Sequence, residues 1–540
     1  MADLTKKSEI EQHDDWWGLM MAGGASSRFF PLNKILFDPV GIGRTLSQQA
    51  FDRLCHKESE DDTTSLNPSN FIIVTSKLFS ETLSNHIPEI PKSNFIGEPA
   101  PRSTMPAILL GMSHIRNVDT NAVMCIVTAD HIISDVRMFR ATLETARQVA
   151  VQRDCIVTIG ITPSDMPQDW IGFGAIHSEF DRPIAVENQI HSECSVYPLI
   201  RFEEKPSVPR AQQMIDENRI AAQSNQTQQK QEKEQEQQSS SERKETSSSP
   251  LAWTWNAGMF VFRVQTMELA LQAFHPEIYA IYLDLCKARS EEERNKAFLR
   301  FPNKIQNPLN PNTQVDCSID YCIMMPLTDR TSHTASITQT KELSESKSET
   351  ETKSKEQDKQ QQQQKQQSTN SIDNLSAAVI PGNFPWFDVG GWSAFRNVKS
   401  IIQDSNGNIL IGNSECINQT KRSIIVCEKL ESNEKEKSIC SKDNKLIADN
   451  LNDYVAVLTK DGTLALIPDS ISPRLKDLKS IADKPENDKT HVLTECKNVE
   501  IVELGKEGRL RVCGLGVSDI RVIVECVEPL VVVLQNIGQK

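Results

Sequence analysis

Thirteen cysteines are scattered through the 540-residue sequence without one Cys-x-x-Cys pair. That absence argues against a zinc site or a disulfide framework and fits reduced thiols in a cytosol. No uninterrupted apolar run of about 18 residues occurs, so no membrane span is expected. The apolar run around Val522–Leu534 is broken by Glu525, Glu528 and Pro529 and reads as two strands. The segment 1–15 is polar and has no apolar h-region, so no secretory leader is expected and the location expected is cytoplasmic. Basic charge is in deficit: 59 Lys and Arg stand against 73 Asp and Glu, a net −14, which argues against a nucleic-acid partner.

A glycine-rich stretch near the N-terminus stands out. The apolar run Trp16 to Met21 reads as a buried strand, followed by Ala22, Gly23, Gly24, Ala25, Ser26 and Ser27, and then by Arg28 and Lys34. It is neither the Gly-x-Gly-x-x-Gly dinucleotide pattern nor a P-loop. Glycines let the backbone turn sharply and let a ligand approach main-chain N–H groups. Arg28 and Lys34 bring positive charge to the same mouth, a workable cradle for a nucleoside triphosphate.

Further along, apolar runs at Phe71–Thr75, Asn94–Ile96 and Ala122–Thr128 alternate with helical patterns at Gly43–Leu54 and Val136–Ala150. Alternation of this kind predicts an α/β fold, a Rossmann-like, mostly parallel sheet with helices on both faces. Ligands of such sheets sit beyond the carboxyl ends of the strands. From about Ile401 the pattern changes to short strands and turns. A faint repeat relates Leu451–Val457 to Val517–Ile523, each followed by a second apolar strand. The expected division is therefore a polar segment 1–15, a domain 16–400 and a smaller all-β region 401–540 built of stacked β-coil units. Those units are expected to pack on the first domain or on another copy of the chain, which admits a homo-oligomer. Two tracts of Gln, Glu, Lys and Ser, about 223–249 and 332–369, are too polar to offset their ordering entropy and are expected to be disordered insertions.

Chemistry-bearing residues gather in short segments. Glu98-Pro99-Ala100-Pro101-Arg102-Ser103-Thr104 forms a stiff loop before a helix. A carboxylate there could accept from the N1–H and 2-amino group of guanine, a donor pair adenine lacks. Asp130 ends a buried strand, where an acid facing the crevice suits Mg²⁺; alone it would more often be a helix cap. Trp170–Ile176 carries Gly172 and Gly174, and Phe202-Glu203-Glu204-Lys205-Pro206, Trp255-Asn256-Ala257-Gly258-Met259-Phe260, Ser318-Ile319-Asp320-Tyr321 and Trp386-Phe387-Asp388-Val389-Gly390 follow in order.

Taken together, Gly23-Gly24-x-x-x-Arg28-x-x-Pro31, Glu98–Ala107, Ala129-Asp130-His131 and these later segments resemble the signatures of the sugar-phosphate nucleotidyltransferases (the nucleotidyltransferase fold). Within that family they look most like the mannose-1-phosphate guanylyltransferases. The resemblance covers roughly Gly18 to Val398 outside the two tracts. Asn33 stands where the family usually has proline, and Met325 where it has an acid. What the resemblance implies is transfer of GMP from GTP to mannose 1-phosphate, giving GDP-mannose and pyrophosphate. It implies Arg28 and Lys34 as catalytic groups. Ala22, Gly23, Gly24, Glu98, Arg102 and Thr104 would line the nucleotide pocket. Gly172, Gly174, Glu204, Lys205 and Asn256 would receive the sugar phosphate, and Asp130 and Asp388 would hold Mg²⁺, with His131 behind them. The competing expectations are another sugar-1-phosphate nucleotidyltransferase using UTP or dTTP, and a non-catalytic relative that only binds sugar nucleotides. The tail shows no His/Glu cluster, so no phosphomannose isomerase activity is expected.

Overall fold

Leu19 and Met20, fully buried, anchor the strand Trp16–Met21 inside a nine-stranded sheet of the computed structural model. The structure describes residues 15–24, 27–57, 64–178, 180, 182–236, 252–329, 375–398, 403–428, 445–459, 461–483, 491–505, 511–515, 517–526 and 531–536. Two compact units share the chain discontinuously: Met1–Gly23, Phe51–Thr128 and Ile133–Pro385 form the first, and Gly24–Ala50, Ala129–Ile132 and Trp386–Lys540 the second. The break expected near residue 400 therefore lies inside the second unit. That unit also takes up the signature loop and the segment carrying Asp130.

In spatial order the first unit's sheet runs Phe95–Glu98, Phe71–Ser76, Trp16–Met21, Val123–Thr128, Trp253–Arg263, Ile156–Ile161, Ala377–Pro381, Tyr197–Glu204 and Gly174–Ser178. The first four strands are parallel, and Ala377–Pro381 is parallel to Ile156–Ile161. Trp253–Arg263 runs antiparallel to both its neighbours, so the α/β sheet is mixed. Helices joining the parallel strands are periodic, with Thr104–Val118 packed on Trp16–Met21 and Phe71–Ser76, and Val136–Arg153 on Val123–Thr128 and Ile156–Ile161. Continuous apolar strand runs are what burial on both faces requires. The parallel strands place Ala22, Gly23 and Glu98 at one edge, the carboxyl edge.

The first polar tract departs from expectation. The helix Val208–Glu236 runs through its beginning. Ala211, Met214 and Ile215 seat that helix in a small apolar core with Trp170 and Trp253, and Asn218 bonds both backbone groups of Trp253. Once nucleated, Gln, Glu, Lys and Ala propagate a helix well. The rest of that tract and all of 332–369 lie outside the described residues.

In the second unit, six- and five-stranded sheets are built largely from parallel strands. Ile424 and Val426 face one core, and Ile425 and Cys427, on alternate positions, face the other. The repeated segments each place an aspartate in the left-handed conformation, Asp453 at φ 59° and Asp519 at φ 57°. Asp453 precedes the strand Tyr454–Leu458, Asp519 is the second residue of the strand Ser518–Cys526, and a short polar side chain tolerates that conformation. Arg422 Nε donates to Asp453 at 2.6 Å and Asn498 Nδ2 to Asp519 at 2.9 Å. No helix among the described residues is long and apolar enough to cross a membrane.

Candidate active site

Four of the expected residues, Arg28, Lys34, Asp130 and Asp388, come together in the second unit. Phe29 and Phe37 pack on Trp392 and Phe395 and hold the signature loop against the Asp388 segment. Gly24 takes φ 99°, which its missing Cβ permits. Lys34 opens a 3₁₀ turn capped by Asn33, whose side chain accepts from the Ile35 N–H at 3.3 Å. The residue standing in place of proline thus starts the turn that aims the lysine. Lys34 Nζ meets Asp130 Oδ2 at 2.5 Å and lies over the Phe29 ring.

A short pairing of His131–Ile133 with Trp386–Asp388 brings the two aspartates together, and the Val389 N–H donates to the Asp130 carbonyl at 3.1 Å. Ligand atoms of Asp130, His131 and Asp388 all lie within 4.8 Å of one another. Burial and then the neighbouring Asp130 carboxylate push Asp388 up to about 6, against the pull of Lys34 and Arg28. Two hard oxygen donors that repel each other, with a ring nitrogen beside them, fit a divalent cation. His131 was expected behind the aspartates; the geometry admits it to the ligand set. Gly390 lies beside both groups: a Cβ there would stand in ordinary contact, 3.5 Å from both Arg28 Nη1 and Asp388 Oδ2.

In the first unit, Ala22 spends both backbone groups on the sheet. Its N–H donates to the Val74 carbonyl at 2.8 Å and its carbonyl accepts from Thr75 Oγ1 at 2.8 Å. It therefore has no N–H left for a phosphate, and of the expected loop residues only Gly23 remains open in this unit. A Cβ on Gly23 would come within 3.0 Å of Glu98 Oε2. Glu98 is buried, its Oε1 has no hydrogen-bond partner, and burial pushes it up to about 7. A buried acid without a partner is costly unless a ligand meets it.

Arg102 and Thr104 are engaged elsewhere. Arg102 donates to Asn303 Oδ1 at 2.7 Å and to the Leu299 carbonyl at 3.3 Å, and Thr104 Oγ1 accepts from the Ile319 N–H at 3.1 Å. These contacts tie the loop to the segment 299–319, so their partners do not support the expected nucleotide contacts.

Glu204, Lys205, Gly174 and Asn256 form a second polar cluster within the first unit. Lys205 adopts φ 48°, and its Nζ meets Glu204 Oε1 at 3.1 Å. Burial, then Asp320, push Glu204 up to about 7, while Lys205 pulls it down. A Cβ on Gly174 would lie 2.6 Å from Phe202 Cζ and 2.8 Å from Glu204 Oε2, so only glycine leaves that carboxylate in place. Gly172 sits in an uncrowded turn with nothing closer than the Asp169 carbonyl at 3.9 Å. Asn256 Nδ2 donates to Asp320 Oδ1 at 3.1 Å. Asp320 was not among the expected site residues. An acid opening a helical turn in Ser318-Ile319-Asp320-Tyr321 was the available signal. Met325, where an acid was expected, is buried in the apolar core.

The nucleotidyl transferase family model matches residues 17–405 of the chain. A mannose-1-phosphate guanylyltransferase of Salmonella montevideo is 24% identical over 484 residues, which cover 88% of this chain and 74% of that protein. One from Escherichia coli K12 is 23% identical over 487 residues, again covering 88% and 74%. The crystal structure described as a mannose-1-phosphate geranyltransferase from Thermus thermophilus shares the fold, with a TM-score of 0.55 at 18% identity, over 87% of this chain and 100% of that one.

Proposed function

Since the chain belongs to the nucleotidyl transferase family, we propose that it moves GMP from GTP to mannose 1-phosphate, giving GDP-mannose and pyrophosphate. The observation that carries the reading is the grouping of Arg28, Lys34, Asp130 and Asp388 around one point of the second unit. The relatives named above supply the choice of guanine and mannose.

The phosphate of the sugar attacks the α-phosphorus of GTP, a bond to oxygen forms, and the bond to pyrophosphate breaks. No enzyme nucleophile is needed. Anion must approach anion, so alignment and charge neutralisation carry the catalysis. Two unit charges about 4 Å apart interact by roughly 4 kcal/mol at an effective dielectric near 20. One uncompensated charge thus costs about a thousandfold in rate. Arg28 binds the triphosphate. Lys34 leaves Asp130 for the α-phosphate and steadies the departing pyrophosphate. Lys205 takes the phosphate of mannose 1-phosphate, Glu204 and Asn256 take its hydroxyls, and Glu98 reads the guanine edge. Asp130 and Asp388, with His131 beside them, would hold Mg²⁺, which supplies positive charge to the polyphosphate when bound. The described cysteines form no disulfide and are mostly buried, which suits a cytosolic enzyme.

The test is pyrophosphate release by the purified chain with Mg²⁺, each of GTP, UTP, dTTP and ATP paired with each of mannose, glucose and galactose 1-phosphate. Highest kcat/KM for GTP with mannose 1-phosphate is expected. Preference for another pair moves the assignment within the family, and nucleotide binding without any release removes catalysis.

A further inference from the structure

The amide of Asn256 is held on nearly every side. Its Oδ1 accepts from the Thr158 hydroxyl at 2.9 Å and from the Gly258 N–H at 3.2 Å, and its Nδ2 donates to Asp320 Oδ1 at 3.1 Å. A backbone N–H can only donate and a carboxylate can only accept, so Gly258 and Asp320 decide which end of the amide is which. Burial pushes the Asp320 carboxyl up, and the nearby Ser318 hydroxyl pulls it back down. An amide nitrogen carries two hydrogens, and Asp320 takes one. Among the described residues no other acceptor meets Nδ2. Close by, Glu204 turns Oε1 to Lys205 and Oε2 toward Gly174.

We propose that Asp320 is the positioning residue of the sugar subsite: by holding one hydrogen of Asn256 it presents the other to an acceptor oxygen of the hexose, while Glu204 accepts from the hexose hydroxyls. The inference rests on the reading that this cluster receives a sugar phosphate. It gives the subsite a polarity, one fixed donor beside one fixed acceptor, and it assigns the acid of the Ser-Ile-Asp-Tyr segment a task. A substrate oxygen facing Asn256 must have a lone pair free, and one facing Glu204 must carry a hydrogen.

The charged and titratable groups facing the pair are Glu204, Lys205 and Tyr321, whose charges act on one another and on Asp320. The experiment is calorimetric titration of the full chain with mannose 1-phosphate, in wild type, Asn256→Asp and the exchange variant Asn256→Asp/Asp320→Asn, together with the thermal midpoint of each. Asn256→Asp sets one acceptor against another and is expected to weaken binding about tenfold or more at pH 8. Some affinity should return near pH 5.5, where one carboxyl of the pair gains a proton and can donate. The exchange variant rebuilds the hydrogen bond between the two side chains with its direction reversed. Its thermal midpoint should recover, yet its affinity should stay about tenfold down, because an oxygen now stands where the N–H stood. GTP affinity should not change. Recovery of sugar-phosphate affinity along with stability in the exchange variant would reduce the pair to a packing contact and overturn the proposal. Unaltered affinity in Asn256→Asp would overturn it too. Wild-type chain that binds mannose 1-phosphate but releases no pyrophosphate would sink the reaction and leave Asp320 in its role. Wild-type chain that binds no hexose 1-phosphate would sink both.

Discussion

Glu98→Gln tests the proposal that Glu98 reads guanine, because Glu98 is a buried acid with an unpartnered oxygen. Burial moves its carboxyl from the ordinary glutamate value of 4.5 to about 7. In the folded chain it therefore holds its proton where the unfolded chain has lost it. The contribution to stability is complete below about pH 4.5 and is lost as pH rises through about 7. A shift of this size corresponds to about 3 kcal/mol at full ionisation. Glutamine keeps the shape and cannot ionise, so the variant should match wild type near pH 5 and exceed it by up to about 3 kcal/mol at pH 8.5. The readout is the difference in thermal midpoint between the two pH values, several degrees in wild type beyond that in the variant. Guanine offers two donors to an ionised carboxylate, so GTP affinity in wild type should tighten as pH rises through about 7. In Glu98→Gln that dependence should flatten, and preference for GTP over ATP should fall by about 1–3 kcal/mol, the usual worth of a two-donor base contact. Parallel stability profiles in the two proteins would show that the carboxyl is not held protonated. An unchanged GTP preference would remove Glu98 from base recognition.

Lys34→Met leaves Asp130 and Asp388 facing each other without their ammonium; kcat should fall about a thousandfold with GTP affinity within a few-fold of wild type, and full activity would take Lys34 out of the mechanism. Gly174→Ala forces a methyl against Glu204 Oε2 and Phe202, so KM for mannose 1-phosphate should rise about tenfold while KM for GTP holds; an unmoved sugar KM would detach Glu204 from the subsite. Chelation should abolish pyrophosphate release and added Mg²⁺ restore it, and Asp388→Asn should need a higher Mg²⁺ concentration for half-maximal rate. An enzyme unaffected by chelator would contradict the assignment of Asp130 and Asp388.

Much of this site could be read along the chain. The strand Trp16–Met21 is an apolar run buried on both faces, and the glycines, arginine and lysine after it read as room and charge for a polyanion. Asp130 follows a strand and Asp388 lies at a strand end, but position alone fits a helix cap or a turn as well, and it was the family resemblance that singled both out. Arg102 and Thr104 carry side chains that suit a nucleotide pocket, and nothing in their sequence signals the contacts they make with Asn303 and the Ile319 N–H. The helix running to Glu236 was hidden because its later composition is that of a disordered tract, and its anchors, Ala211, Met214, Ile215 and Asn218, all lie in its first part.

By itself, then, the order of residues determined the strands, the helices between them and the identity of the cationic and acidic groups, since periodicity and residue type are local properties. Tertiary structure alone decided that Gly24–Ala50 joins the β-rich unit, that Asp320 holds Asn256, and that Glu98 is buried without a partner. The physical reason is that a polar side chain carries no sign of which distant group will satisfy it. Asn256 and Asp320 are 64 residues apart, and neither burial nor the direction of a hydrogen bond exists until the chain has folded around both.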